Sequence, residues 1–142
     1  MTTWQAFSYL ALHSLEIASY YWEVSLLVAC GTAVVIVVGA WTSDTKRRVW
    51  LALLPYAAPI LMVALGAVLR YDGPPHPHWV EPPAWRGLTL WVVLAANIAG
   101  VVAVAVFARG ARILATGVAI PSTWITLSSG FIAAIAIGGV GP

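Results

Sequence analysis

Residues 24–41 read VSLLVACGTAVVIVVGAW, a stretch without a charged side chain that Trp22 precedes and Trp41 closes. A helix needs about 20 mostly apolar residues to cross the hydrocarbon core of a bilayer, and tryptophan is enriched at both membrane surfaces. Only helices and closed barrels satisfy their backbone hydrogen bonds in lipid, so a single apolar stretch of this length crosses as a helix. The sequence therefore predicts a transmembrane helix over about residues 24–41.

Three further apolar stretches follow, over about residues 49–69, 88–108 and 113–138. Charged residues make up 8% of the chain and hydrophobic residues 61%, whereas a soluble domain carries roughly 25% charged residues. The spans and short loops use nearly the whole chain. The sequence thus predicts one all-α integral membrane domain over residues 1–142, a four-transmembrane-helix bundle whose surroundings are the lipid bilayer.

The basic residues flank the predicted spans and set an orientation. Five of the seven lie in the loops after the first and third spans and two on the other side: Lys46, Arg47, Arg48, Arg109 and Arg112 against Arg70 and Arg86. Lys and Arg concentrate in cytoplasmic loops. We expect these loops in the cytoplasm of a cell whose plasma membrane holds the protein, with both termini and loop 70–87 outside. Because the basic residues act as topology signals, no nucleic-acid partner is expected.

The segment 1–23 has the pattern of an amphipathic helix. Its predicted apolar face contains Trp4, Phe7, Ala11, Leu15, Ala18 and Trp22. The polar face contains Gln5, Tyr9, His13, Glu16, Tyr20 and Glu23. We expect this helix either to lie on the outer membrane surface or to extend the first span.

The polar face of this segment is one candidate site. A histidine beside two carboxylates can move protons, so His13, Glu16 and Glu23 are the predicted catalytic residues if the protein is an enzyme, and Tyr20 is a predicted substrate contact. Helical spacing places His13 and Glu16 one turn apart, which an ordinary surface pair also explains. We expect this cluster at the outer mouth of the bundle.

The polar residues within the spans form a second candidate site, which would bind substrate if the protein is a transporter. Its predicted residues are Asn97, Ser122, Thr126 and Ser129. Packing and interhelical hydrogen bonds explain the same residues without a ligand. In the fourth span we also expect Gly130 and Ala134 to make the closest helix contact. The face that carries Ser122, Thr126 and Ser129 is expected to point into the bundle, and the opposite face contains Trp124, Phe131, Ile132 and Ile135.

Prolines mark two other segments. Pro55 and Pro59 lie one turn apart and are expected to kink the second span. Loop 70–87 contains five prolines, which predict a stiff extended connection, together with His76 and His78. Two imidazoles without a further nearby pair are a weak metal signal, so neither a metal site nor any other cofactor is predicted.

These features leave three functional hypotheses. The first is a non-catalytic membrane component that associates with itself, as a homo-oligomer, or with other membrane subunits. The second is a small transporter or channel lined by the fourth span. The third is a membrane enzyme that acts on a lipid or another apolar substrate at the outer surface. No ionisable residue lies deep in a predicted span, although proton-coupled transporters usually need one there. Whether the protein is an enzyme stays open at this stage.

Overall fold

The computed structural model describes residues 2–43, 49–71 and 83–138, and within these ranges the chain is helical with no strand. It forms five α-helices, and a 3₁₀ segment leads into the third: α1 (Thr3–Tyr20), α2 (Trp22–Thr42), the 3₁₀ segment Val49–Tyr56, α3 (Ala57–Leu69), α4 (Ala84–Phe107) and α5 (Arg112–Gly138). The all-α prediction is confirmed.

Four segments are long and apolar enough to cross a membrane: α2, Val49–Leu69, α4 and α5. They coincide with the four predicted spans. Their length and composition suggest a membrane-embedded protein.

Helix α5 lies at the centre and contacts every other described helix. Helix α2 runs antiparallel to α5, because Ser25 meets Trp124 and Gly39 meets Leu114. Helix α4 is also antiparallel to α5, because Leu90 clusters with Ala133 and Val104 with Ala115. Helix α3 is parallel to α5, because Met62 meets Gly130 and Gly66 meets Ala133. Within the described ranges α2 touches neither α3 nor α4. The other four described helices are therefore organised around α5, and they include α1, the helix predicted in addition to the four spans.

Close helix approach depends on glycines other than the predicted one. A Cβ atom at Gly39 would collide with the Leu114 nitrogen, and one at Gly66 would lie 2.8 Å from the Ala133 Cβ. At Gly130 it would meet only the flexible end of Met62, at 3.4 Å. The expectation that Gly130 and Ala134 make the closest contact is wrong, because α3 approaches α5 most closely at Ala133 and α2 approaches it at Leu114.

The second span starts as a 3₁₀ helix because two prolines remove backbone donors near its beginning. Pro55 lies inside the 3₁₀ segment, and Pro59 lies in the first turn of α3. A first-turn position has no intrahelical partner for its N–H, so proline is tolerated there. The predicted distortion takes the form of a change from 3₁₀ to α geometry.

Helix α1 packs against α3 and α5, which neither predicted placement anticipated. Its buried residues are Ala6, Leu10 and Ser14, and they meet apolar residues of both partners. Trp4 and Leu15, assigned to the apolar face, are exposed. The buried face of α1 is rotated about the helix axis relative to the predicted apolar face, because small residues allow closer helix packing than large ones do.

One end of the bundle holds four chain segments together. The Arg70 side chain donates to the Thr2 carbonyl, the Tyr71 N–H donates to the Ala136 carbonyl, and Arg86 donates to the Leu69 carbonyl. The start of α1, the end of α3, the start of α4 and the end of α5 therefore share this end. This arrangement agrees with an even number of membrane crossings between any two of these four points along the chain.

Only the margins of the predicted proline-rich loop are described. Residues 84–87, assigned to the loop, belong to the first turn of α4, which begins directly after Pro83. Proline is favoured at helix starts because its fixed φ suits the first turn. His76 and His78 lie outside the described residues.

Candidate functional site

A layer of polar contacts crosses the middle of the bundle at Asn97, whose side chain is 1% exposed. Its Nδ2 donates to the Pro55 carbonyl at 2.9 Å and to the Ser122 Oγ at 3.0 Å. In an α-helix the Pro55 carbonyl would accept from residue 59, which is proline and has no N–H. Asn97 thus supplies the donor that the second span lacks, and it joins that span to α4 and α5.

Tyr56 makes the second link in this layer. Its hydroxyl donates to the Val118 carbonyl at 2.8 Å. Val118 lies one turn before Pro121, which stands inside α5 and removes a backbone donor there. The proline-disturbed turns of the second span and of α5 therefore lie in one layer, where Asn97 of α4 donates to the Pro55 carbonyl and Tyr56 of the second span donates to the Val118 carbonyl.

The hydroxyl groups of α5 bond mainly to their own helix. Ser122 donates to the Ala119 carbonyl, Thr126 to the Ser122 carbonyl and Ser128 to the Trp124 carbonyl. Serine and threonine in membrane helices commonly bond back to the preceding turn. The structure thus brings together Asn97 and Ser122 of the predicted set, places Thr126 one turn beyond, and buries Ser129 nearby on the same helix.

A separate polar chain ties α1 and α2 to α5. The Trp124 Nε1 donates to the Ser25 Oγ, and the Ser25 hydroxyl donates to the Ala18 carbonyl. Trp124 therefore faces two helices, and Ile132 is buried against α1. The prediction that this side of α5 lies away from the bundle is wrong for these residues, whereas Phe131 is 55% exposed as expected.

The predicted catalytic cluster is only partly assembled. His13 Nε2 lies 3.7 Å from Glu16 Oε2, and the two side chains are 35% and 70% exposed. His13 Nδ1 faces the Tyr9 carbonyl at 3.0 Å, and the two rings stack at 3.8 Å. The Nδ1 side of the ring is thus occupied by the Tyr9 carbonyl, and Nε2 lies beyond hydrogen-bond distance from Glu16. The pair is therefore an open surface contact.

Glu23 and Tyr20 do not complete this cluster. Both are exposed, and within the described ranges Glu23 forms no hydrogen bond or ion pair. They flank the junction between α1 and α2, which lies beside Trp124 near the midpoint of α5. The expected position at the mouth of the bundle is therefore not observed for this part of the cluster. No described group of three or more His, Cys, Asp or Glu side chains could hold a metal ion.

No protein family, curated protein or solved structure matches this chain. Function must therefore be argued from the geometry alone.

Sequence reasoning missed two parts of the polar layer. The Pro55 carbonyl and the Tyr56 hydroxyl were not among the predicted site residues. The spacing of Pro55 and Pro59 by four residues was the available signal, because it frees the Pro55 carbonyl at a known position. Which helix supplies the donor depends on packing and is not encoded by spacing.

Proposed function

We propose that this protein is a non-catalytic, four-span membrane component that associates through its membrane helices with itself or with a larger membrane complex. The plasma membrane is the proposed location. From the five-to-two distribution of basic residues, the end that carries Thr2, Arg70 and Arg86 faces outward.

The observation that carries this proposal is the sparse packing of α2. Gly39 is its only buried residue. Helix association in membranes depends on close packing, because the hydrophobic effect does not distinguish lipid from protein. Ser25, Val28, Thr32, Val35 and Ile36 are half-buried on the side that faces α5. The remaining faces of α2 are exposed and are available to lipid or to another protein.

The exposed surface of α2 also has the composition of a helix interface. Ala29, Ala33 and Ala40 lie on one face and are exposed, with Cys30 beside them. Small residues four apart let two membrane helices approach closely, whereas lipid contact alone does not require them. We name this surface, formed by Ala29, Ala33 and Ala40, the alanine face.

The interior chemistry supports a structural role over catalysis or transport. The hydroxyls of Ser122 and Thr126 are used in backbone bonds. The His13–Glu16 pair is open to its surroundings, and enzymes acting on apolar substrates exclude water from their reacting groups. These contacts favour neither a lined pathway nor an enclosed reaction site.

The native cysteine provides the test, since Cys30 is the one cysteine in the chain. Membranes containing the full-length protein would be treated with a thiol-specific crosslinker of short span. If two copies meet at the alanine face, we expect a covalent dimer that Cys30→Ser abolishes and Ala33→Leu strongly reduces.

Gly31→Leu is the matched control, because Gly31 lies on another side of α2 and a Cβ there meets nothing within 4 Å. It should leave the dimer intact. If no dimer forms, native mass spectrometry from mild detergent tests for a different subunit. A monomer without partners, with Ala33→Leu and Gly31→Leu behaving alike, would contradict the proposal.

A further inference from the structure

The Asn97 side chain has one atom that the bundle does not satisfy. Its Oδ1 is buried and accepts no hydrogen bond from the described residues. The orientation of the amide is fixed chemically, because the atom that faces the Pro55 carbonyl must be the donor. An unpaired carbonyl oxygen in an apolar interior destabilises the fold, because it has given up its hydrogen bond to water. A group that donates to Oδ1 would remove this cost.

Among the described residues, the side chains bonded to Asn97 or adjoining it in this layer have no spare donor. Both Nδ2 protons of Asn97 are used, and the Ser122 and Thr126 hydroxyl protons go to backbone carbonyls. The Tyr56 hydroxyl proton goes to the Val118 carbonyl. A hydroxyl oxygen has two lone pairs, so Thr126 and Ser122 retain acceptor capacity. The layer therefore has an excess of acceptors and needs a donor from outside the protein.

We propose that the Asn97 Oδ1 binds a water molecule inside the bundle, which donates one proton to Oδ1. Buried waters typically make two to four hydrogen bonds to polar groups that the protein leaves unsatisfied. The second proton has an acceptor in the same layer, at the hydroxyl oxygen of Ser122, which keeps one lone pair free. A metal cation is less suited to the site, because no described acidic side chain lies in the layer to offset its charge and oxygen-bound cations need about six ligands.

The sequence makes the site accessible to a selective measurement. Asn97 is the single asparagine and Gln5 the single glutamine of the chain. In a sample labelled with ¹⁵N-asparagine, the Asn97 side-chain amide gives one isolated pair of proton signals. We would record water-selective NOESY and ROESY spectra of the full-length protein in detergent micelles or nanodiscs.

A long-lived bound water gives cross-peaks of opposite sign in the two experiments, whereas proton exchange gives the same sign. We expect opposite signs for the Asn97 side chain. The exposed Gln5 amide, labelled in a second sample, should show exchange only.

Two results would overturn the proposal. One is an Asn97 amide with no water cross-peak or with exchange peaks alone. The other is a shift of the Asn97 signals in sodium or potassium chloride that choline chloride at equal ionic strength does not produce, because that would identify a cation. Both readouts use the unmodified protein and do not depend on its oligomeric state.

Discussion

Replacing Gly66 with alanine tests the packing of three helices at one point. The added Cβ would lie 2.8 Å from the Ala133 Cβ, 2.9 Å from the Ala133 Cα and 3.2 Å from the Leu10 Cδ1. Carbon atoms pack best at about 3.5–4.0 Å, so α3 and α5 would have to separate by up to roughly 1 Å. Overpacking of this kind costs typically about 1–3 kcal/mol.

Gly31→Ala is the matched control, because the same methyl group meets nothing within 4 Å. Both substitutions carry the same gain in helix propensity, of at most about 1 kcal/mol. We therefore expect Gly66→Ala to be less stable than Gly31→Ala by about 1–3 kcal/mol, or roughly 5- to 150-fold in the unfolding equilibrium. Equilibrium unfolding by SDS from mild-detergent micelles, followed by tryptophan fluorescence, measures the difference.

A second substitution sharpens this test. Ala133→Gly removes the nearest carbon atom from α5, so the double variant Gly66→Ala/Ala133→Gly should recover part of the lost stability. The Ala133 Cα remains close, and recovery will be incomplete. Equal stability of Gly66→Ala and Gly31→Ala would refute the close approach of α3 to α5 at this point.

Three other predictions follow from the same structure. Gly39→Ala should loosen the packing of α2 on α5, because its Cβ would collide with the Leu114 backbone nitrogen. Faster proteolysis or hydrogen exchange in α2 alone would show this. Asn97→Leu removes two interhelical hydrogen bonds. It should lower the free energy of unfolding by about 1–2 kcal/mol in the same SDS assay. An unchanged unfolding midpoint would argue against the polar layer. Single cysteines at Ser43 and Gly73, in a chain without Cys30, should react oppositely with an impermeant thiol reagent; labelling of Ser43 from outside would reverse the proposed orientation.

The positions of the four spans could be predicted from the sequence, because bilayer thickness fixes their length and apolar runs mark them directly. The faces through which these helices pack against one another could not be predicted from the sequence. Trp124 was assigned to the outside of the bundle by its size, yet it donates to Ser25 because α1 and α2 cover that side of α5. Hydropathy does not separate residues that face lipid from those that face another helix, since both surroundings are apolar.

The candidate site, too, could be predicted from the sequence only in part. Asn97 stood out because a primary amide within a span needs a partner, and the structure pairs it with Ser122, another predicted residue. Its other partner, the Pro55 carbonyl, belongs to the backbone of a distant turn and appears only when the helices are in place. The His13–Glu16 pair follows from helical spacing alone, and its openness depends on how α1 packs.

The central position of α5 bears on how the protein is made. Ribosomes synthesise α5 after the four helices that it contacts, and α2 meets neither α3 nor α4 within the described ranges. Until α5 enters the membrane, α2 can therefore pair only with α1, while Gly39 faces lipid and Asn97 lacks Ser122 as a partner. Membrane chaperones and quality-control proteases that bind exposed polar groups in lipid would encounter this intermediate. A chain that stops before α5 should be degraded rapidly, whereas a chain that includes α5 is protected once this helix is inserted.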